Sequence, residues 1–75
     1  METSLDRLRL NRRAVVTEIT VNEELARRLR DFGLIPGTQV CCRYRDPSGR
    51  VTALELRGAV IALRTRDLKQ IRVNC

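Results

Sequence analysis

The segment Arg28–Val40 constrains the fold of this chain more than any other stretch. It carries Gly33, the apolar pair Leu34–Ile35 and the step Pro36–Gly37. Gly33 follows a helical pattern at the point where a helix cap requires positive φ, which glycine adopts without a steric cost. The Pro36–Gly37 step favours a type II turn, because proline fixes φ at the second turn position and glycine accepts positive φ at the third. The segment therefore predicts a helix that stops at Gly33, a tight corner and a strand.

The helix before this corner has a clear start. Asn22 is a good N-cap, because its side chain can accept a hydrogen bond from a backbone N–H of the first turn. Leu25, Leu29 and Phe32 follow at i, i+4 and i+7, so they are predicted to share one apolar face directed at the core.

Alternating apolar and polar residues between turn signals predict five strands. One precedes the helix and four follow it, and they cover Ala14–Val21, Thr38–Arg45, Val51–Arg57, Ala59–Arg64 and a short stretch from Ile71 to Val73. A sheet this small must curl to hide its edges. We therefore predict a single mainly β domain (all-β or α+β) over residues 1–75. It is a small five-stranded barrel with one main helix between the first and second strands.

The strand predicted over Thr38–Arg45 also predicts which of its cysteines faces the core. Strict alternation along Thr38–Arg45 directs Cys42 and Tyr44 inward and Cys41 outward. We therefore predict Cys42 to be a small core residue and Cys41 an exposed or edge thiol. With Cys75 the count is three, and an odd number argues against a disulfide framework.

The chain is basic, with a net charge of +6. Residues 33–75 hold seven Arg and Lys69 against three acids, which gives +5 in that part alone. Such a surface favours acidic partners: nucleic acid, anionic lipid or an acidic protein face. A generally Arg-rich composition without a specific partner is the alternative that the charge leaves open.

Catalytic and metal-binding chemistry is poorly supplied. The chain has no His, no phosphate-binding loop, no nucleophile elbow and no dinucleotide fingerprint. Adjacent Cys41 and Cys42 point to opposite faces of a strand and cannot chelate one metal ion together. We predict a protein that is not an enzyme, with no catalytic residue, no metal ligand and no cofactor. No apolar run reaches the ~20 residues of a membrane span and no signal peptide is visible, so we expect a cytoplasmic protein without membrane insertion.

Three stretches of the chain are together similar to the signatures of one protein family. The first is similar to the family's helix-corner-strand signature and comprises Arg28–Leu29, Phe32–Leu34, Pro36–Gly37 and Val40. The second is similar to its C-terminal signature and comprises Gly58, Ile61–Arg64, Asp67–Leu68, Ile71 and Val73. The third is the opening, with Leu5, Leu8, Ala14–Val16 and Ile19. Together these stretches resemble the ferrous-iron transport protein A family (FeoA). Asn11 stands in the turn where the family usually has Gly, and Asn is the next most tolerant residue for positive φ.

The resemblance implies an SH3-like barrel without catalysis. It also implies a cytosolic accessory role in bacterial ferrous-iron uptake, with ferrous-iron transport protein B as the partner. That partner is the membrane permease with a cytosolic GTPase domain, and its cytosolic portion is the expected contact. The same module is fused to the C-terminus of some iron-dependent repressors, so a regulatory SH3-like role is an alternative. A chain that starts at Met1 favours the stand-alone transport role.

The partner-binding residues that we predict lie at the corner and on neighbouring strands. They are Leu34, Ile35, Pro36 and Gly37, with Arg43, Arg45 and Arg64 as a basic rim. The apolar corner residues could instead belong to the core, and both interpretations stay open here. A basic small barrel that binds nucleic acid is the second functional class, which the inward placement predicted for Phe32 and Tyr44 disfavours because base stacking needs exposed aromatics. Exposed strand edges could also allow a weak homo-oligomer.

Overall fold

Six antiparallel strands and one main helix make up the fold in a computed structural model that describes residues 1–75. The strands are β1 Glu2–Ser4, β2 Arg13–Ile19, β3 Gln39–Arg45, β4 Val51–Leu56, β5 Ala59–Arg64 and β6 Ile71–Asn74. Helix α1 covers Glu23–Phe32, the short helix α2 covers Thr65–Leu68, and a 3-10 turn covers Leu5–Arg7. The sheet order is β1-β6-β2-β3-β4-β5. The mainly β class is confirmed, with one strand more than the sequence predicted.

The additional strand is β1 at the start of the chain. Thr3 pairs with Val73 of β6, and the backbone N–H of Cys75 donates to the carbonyl of Met1 at 2.9 Å. Glu2–Ser4 lacks the apolar alternation that marks a strand. Its structure comes from pairing with the far end of the chain, and a local pattern carries no such signal.

The sheet curls around a core but its two outer strands, β1 and β5, do not pair with each other. Helix α2 contacts both β5 and the 3-10 turn that follows β1, so it bridges the gap between them. The core draws on every part of the chain and comprises Leu5, Leu8, Ala14, Val16, Leu29, Leu34, Val40, Cys42, Leu54, Leu56, Leu68, Ile71 and Val73.

Both ends of α1 follow the sequence prediction. The side chain of Asn22 accepts a hydrogen bond from the N–H of Leu25 at 2.9 Å. At the other end Gly33 has φ of 86° and its N–H donates to Arg30, while the N–H of Leu34 donates to the carbonyl of Leu29 at 2.8 Å. This pair of bonds is a Schellman motif, and its usual apolar contact corresponds to the buried residues Leu34 and Leu29.

Beyond Cys42, the prediction of which β3 side chains face the core is wrong. A β-bulge lies between Cys42 and Tyr44, so Tyr44 pairs with Ala53 instead of Thr52. One extra residue moves every later side chain to the opposite face. Tyr44 is therefore 55% exposed, and Arg45 takes the inward position opposite the buried Thr52.

Two further burial predictions need correction. Cys41, predicted to be exposed, is only 6% exposed, because it lies between Arg13 on β2 and Glu55 on β4 in the sheet register. Phe32, predicted to face the core, is 47% exposed. The Schellman motif returns Leu34 beneath the last turn of α1, and Leu34 fills the core at this end of the helix.

Candidate docking surface

The corner after α1 has a rigid backbone. The N–H of Thr38 donates to the carbonyl of Ile35 at 3.0 Å, and Gly37 has φ of 96°, as the predicted type II turn requires. Two bonds tie the corner to β2: the N–H of Gly37 donates to Val16 at 2.7 Å, and that of Val16 donates to Thr38 at 2.9 Å.

The hydroxyl of Thr38 completes this framework. Its Oγ1 donates to the carbonyl of Gly33 at 2.8 Å and accepts from the N–H of Ile35 at 3.2 Å. The side chain thereby joins the helix stop to the turn and satisfies two backbone groups. A loop held in this way presents its side chains in one arrangement.

The side chains of the corner divide between core and surface. Leu34 is fully buried, so it anchors the corner from below and offers no contact surface. Ile35 is 40% exposed and Pro36 is also exposed. They border a shallow cavity of about 180 Å³, whose wall also includes Ile19, Ala26 and Arg30. The exposed apolar surface of the corner is thus carried by Ile35 and Pro36.

A second turn supports the helix stop. Arg57 and Gly58 connect β4 to β5, and both have positive φ, at 52° and 80°. Positive φ at both central residues defines a type I′ hairpin turn. A methyl group placed on Gly33 would lie 2.9 Å from Cδ of Arg57, so this side chain rests on the glycine. The sequence pattern gave no reason to expect Arg57 over Gly33.

Two of the three predicted rim arginines have partners within the protein. Arg43 donates to the carboxylate of Glu55 and, at 3.3 Å, to the side-chain oxygen of Asn11. The hydrogen bond that Arg43 donates to Glu55 raises the pKa of Arg43 further above its usual range. Arg45 donates to Oγ1 of Thr52 and to the carbonyl of Leu8, both at 3.2 Å. These contacts hold both guanidinium groups against the sheet.

Arg64 differs from the other two because its exposed side chain has no hydrogen-bond or ion-pair partner. It lies at the end of β5 beside a cavity of about 510 Å³ that is also lined by Arg50, Arg66 and Lys69. We call these four residues the basic cluster. Sequence analysis named only Arg64. Arg50 lies beside it because β4 and β5 pair antiparallel, with Val51 opposite Arg64.

Potential metal ligands do not cluster in the structure. No group of three or more His, Cys, Asp or Glu side chains lies close enough together to hold a metal ion. Cys42 is fully buried, and this burial raises the pKa of its thiol, with a smaller opposing effect from Arg45. Neither helix has the length and apolar composition that crossing a membrane requires.

Comparisons with known proteins give one family model and several similar solved structures. The FeoA domain model matches residues 3–75. The solution structure of the FeoA protein from Chlorobium tepidum is 26% identical, with a TM-score of 0.92 over 96% of this chain and 69% of that one. Iron(II) transport protein A from Clostridium thermocellum is 26% identical, with a TM-score of 0.90 over 96% of this chain and 44% of that one.

A manganese-dependent transcriptional repressor shares the fold at 15% identity, with a TM-score of 0.87 over 97% of this chain and 41% of that one. No curated protein sequence matches significantly. The SH3-like fold implied by the sequence resemblance is thus confirmed. Since the family model covers nearly the whole sequence and the Schellman stop and Pro36–Gly37 turn lie where its signature predicts, the chain belongs to the FeoA domain family.

Proposed function

We propose that this protein is a non-catalytic accessory of bacterial ferrous-iron uptake that docks on the cytosolic portion of the membrane iron permease. Family membership supports the process, since related FeoA domains include an iron(II) transport protein. The corner supports the mode of action. Its exposed residues are apolar, and its backbone is held in place by hydrogen bonds.

The observation that carries this proposal is the contrast between Leu34 and Ile35. Leu34 is fully buried, whereas Ile35, on the same turn, is 40% exposed. A buried anchor keeps the turn in place, so Ile35 and Pro36 meet a partner without an ordering cost. Preorganised apolar anchors at the centre of an interface contribute most of the affinity in many complexes.

The basic cluster contributes to the same proposal through the rate of encounter. The side chains of Arg50, Arg64 and Lys69 have no ion-pair partner and can attract an acidic surface, whereas Arg43 and Arg45 are held by internal partners. Charges at the rim of an interface accelerate association more than they strengthen the final complex. The basic rim that we propose therefore centres on Arg64.

Calorimetric titration against the permease's soluble GTPase domain at physiological salt tests this proposal. We expect saturable binding by the unaltered protein and a loss of at least tenfold in affinity for Ile35→Asp. Leu10→Asp is the matched control, because Leu10 is also an exposed apolar residue, at 52%, and does not line the corner. Equal affinity of all three proteins, or no binding by any of them, would contradict docking through the corner.

Nucleic-acid binding is tested in parallel because Phe32 and Tyr44 are exposed, contrary to the sequence prediction. A nucleic-acid-binding protein would show an affinity that falls steeply with salt concentration. We expect no such binding to single-stranded DNA or RNA. An affinity that declines linearly on a log–log salt plot would favour this alternative class.

A further inference from the structure

The outer edge of strand β5 has backbone groups without partners. The turn Arg57–Gly58 has two residues, so Leu56 and Ala59 form a hydrogen-bonded pair. The bond from the N–H of Thr65 to the carbonyl of Arg50, at 2.8 Å, keeps the same alternation at the other end. Between these points, Val60, Ala62 and Arg64 fall in non-hydrogen-bonded pairs with β4.

Their N–H and C=O groups consequently point away from β4. Because β5 is the last strand of the sheet, no strand lies on that side. No hydrogen bond outside the regular helix and strand pairings involves the N–H or C=O of Val60 or Ala62, or the N–H of Arg64. The carbonyl of Arg64, the N-cap residue of α2, accepts the first hydrogen bond of that helix. This edge offers an open row of donors and acceptors.

The two edges of the sheet differ in protection. Edge strand β1 has three residues and includes Glu2, and short length and charge are common ways to block an edge. Edge strand β5 has six residues, contains no proline or bulge, and carries a charge only at Arg64. An unprotected edge of this length favours the addition of another strand.

Next to this edge runs a groove of about 400 Å³ between β5 and helix α1. From β5 its wall includes Ala62, Leu63 and Arg64, and from α1 it includes Glu24, Leu25 and Arg28. Leu25 and Leu63 are half-buried and supply an apolar surface, while the small side chain of Ala62 leaves the edge accessible. A strand edge beside a helix is a geometry that accepts an extended peptide.

The charges around the groove indicate the composition of the occupant. Arg28, Arg64 and Arg66 outnumber Glu24 and Asp67 along the groove itself. At its Arg64 end the basic cluster adds Arg50 and Lys69 without any acid. A second copy of the chain is disfavoured, since each copy carries a net charge of +6 and would bring another basic cluster. Nucleic acid is disfavoured because it offers no strand of backbone amides to pair with β5.

We propose that the β5 edge and the adjoining α1 groove bind an extended acidic segment of a protein partner as an added strand. Antiparallel addition places the N-terminal half of that segment beside Arg64 and the basic cluster. The segment therefore has acidic residues first and alternating small apolar residues after them. This inference rests on the proposed function, because it describes the chemistry of the permease segment that would bind at the β5 edge.

A designed peptide tests the geometry directly. The probe is a capped octapeptide with Glu, Asp and Glu in its first three positions and alternating Val and Thr after them. The control peptide has the same composition with the acids last. We expect amide shifts and slowed hydrogen exchange at Val60, Ala62 and Arg64 with the first peptide, and at least fivefold weaker binding of the second. Equal binding of both, or shifts confined to other strands, would overturn the proposal.

Two pairs of variants distinguish peptide binding at the β5 edge from nonspecific attraction to a basic protein. Ala62→Pro removes an outward N–H that bonds to nothing in the protein, and Ser4→Pro removes the equivalent outward N–H on β1. Arg28→Glu changes a groove residue, while Arg27→Glu makes the same change on α1 outside the groove. We expect Ala62→Pro and Arg28→Glu each to weaken the peptide complex at least fivefold, and both controls to change it less than twofold. If Ala62→Pro does not fold, the comparison of Arg28→Glu with Arg27→Glu still tests the proposal.

The outcomes distinguish this inference from the proposed function. If the permease's GTPase domain binds Ala62→Pro and Arg28→Glu as tightly as the unaltered protein while Ile35→Asp abolishes binding, the corner docks and the edge proposal is overturned. If the peptide binds the edge but the GTPase domain does not bind, the edge proposal stands and the permease is the wrong partner. A concentration-dependent dimer that protects the β5 amides without any peptide would assign the edge to self-association and overturn the proposal.

Discussion

Single residues with positive φ fix the two turns on which the docking surface depends. Gly33 and Gly37 have φ of 86° and 96°, which an L side chain rarely adopts. Only Gly33 is also crowded, since Arg57 rests on it, whereas Gly37 faces open space. The residue type, visible in the sequence, predicted both conformations. The crowding by Arg57 was not predictable, because it depends on a hairpin more than twenty residues away in the chain.

Replacing these glycines separates the cost of a positive φ from the cost of crowding by Arg57. Gly37→Ala should lower the free energy of unfolding by about 1–2 kcal/mol, the cost of a left-handed L residue. Gly33→Ala should cost more because its methyl group also meets Cδ of Arg57. Urea denaturation measures both, and Arg57→Ala in the Gly33→Ala background should recover the difference. An equal loss for the two single variants would show that the contact with Arg57 has no energetic weight.

Asp46 makes the stability depend on pH. Hydrogen bonds from the hydroxyl of Ser48 and from the N–H groups of Val51, Arg50 and Gly49 lower the pKa of its carboxyl group. A pKa that is lower in the folded state means that the ionised group stabilises the fold above its unfolded pKa, and this contribution is lost as pH falls through the folded pKa.

We therefore expect Asp46→Asn to unfold at a lower urea concentration than the unaltered protein at pH 6. The gap should narrow as the pH falls below about 4, the ordinary range of an aspartic acid. Denaturation midpoints at pH 6, 4 and 2.5 measure it, and Glu18→Gln is a control for loss of an exposed charge outside the turn. A gap that stays constant over this range would contradict the assigned role of the carboxylate.

At the scale of the elements, the corner joins α1 to β3 through one buried and one exposed apolar residue. Leu34→Asp should unfold the protein, because it places a carboxylate in the core and removes a fully buried side chain, at a cost of more than about 3 kcal/mol. Ile35→Asp should cost about 1 kcal/mol or less, as is usual for surface positions. Circular dichroism with urea denaturation measures both. A folded Leu34→Asp variant, or an unfolded Ile35→Asp variant, would contradict the division of the corner into anchor and contact.

The hairpin between β4 and β5 is an element whose turn is not optimal for stability. Type I′ turns prefer Asn before Gly, whereas here Arg57 takes the left-handed conformation. Arg57→Asn should raise the free energy of unfolding by roughly 0.5–1 kcal/mol, the range of a typical local improvement. Thermal denaturation measures the change. A loss of stability would show that the contact of Arg57 with Gly33 outweighs its backbone strain.

Local patterns predicted the elements better than their faces. The bounds of α1, its caps, the β5 strand and the order of the later strands follow from apolar periodicity and turn residues. Tyr44 and Arg45 exchanged faces because one bulge shifts the register, and the sequence has no glycine or proline there to mark it. β1 was missed because it forms only through pairing with β6.

The same limit applies to the candidate site. Sequence analysis identified the corner, because its residues are contiguous and its turn chemistry is explicit. It could not show which arginines are free, since Arg43 and Arg45 are engaged by Glu55, Thr52 and Leu8, which are distant in the chain. The basic cluster and the β5 edge depend on tertiary placement in the same way.

At the scale of the whole molecule, the positive side chains that give the net charge of +6 differ in whether they have partners within the protein. Removing charge from the basic cluster should slow association with an acidic partner at low salt by severalfold, because electrostatic steering depends on unpaired charge near the contact. The triple variant Arg50→Gln, Arg64→Gln, Lys69→Gln tests this by stopped-flow kinetics. Its control is Arg7→Gln, Arg9→Gln, Arg12→Gln, which has the same net charge. Equal rates for the two triple variants would show that only the total charge matters.

The central claim, that the corner docks on the iron permease, is tested most directly by mapping amide chemical shifts of the labelled protein on titration with the permease's GTPase domain. The account predicts the largest shifts at Ile35 and Gly37 on the corner, with changes at Phe32 and Arg30 beside it. The N-terminal segment Leu5–Arg12 should remain unchanged. Saturable shifts confined to that segment, with an unperturbed corner, would contradict the claim.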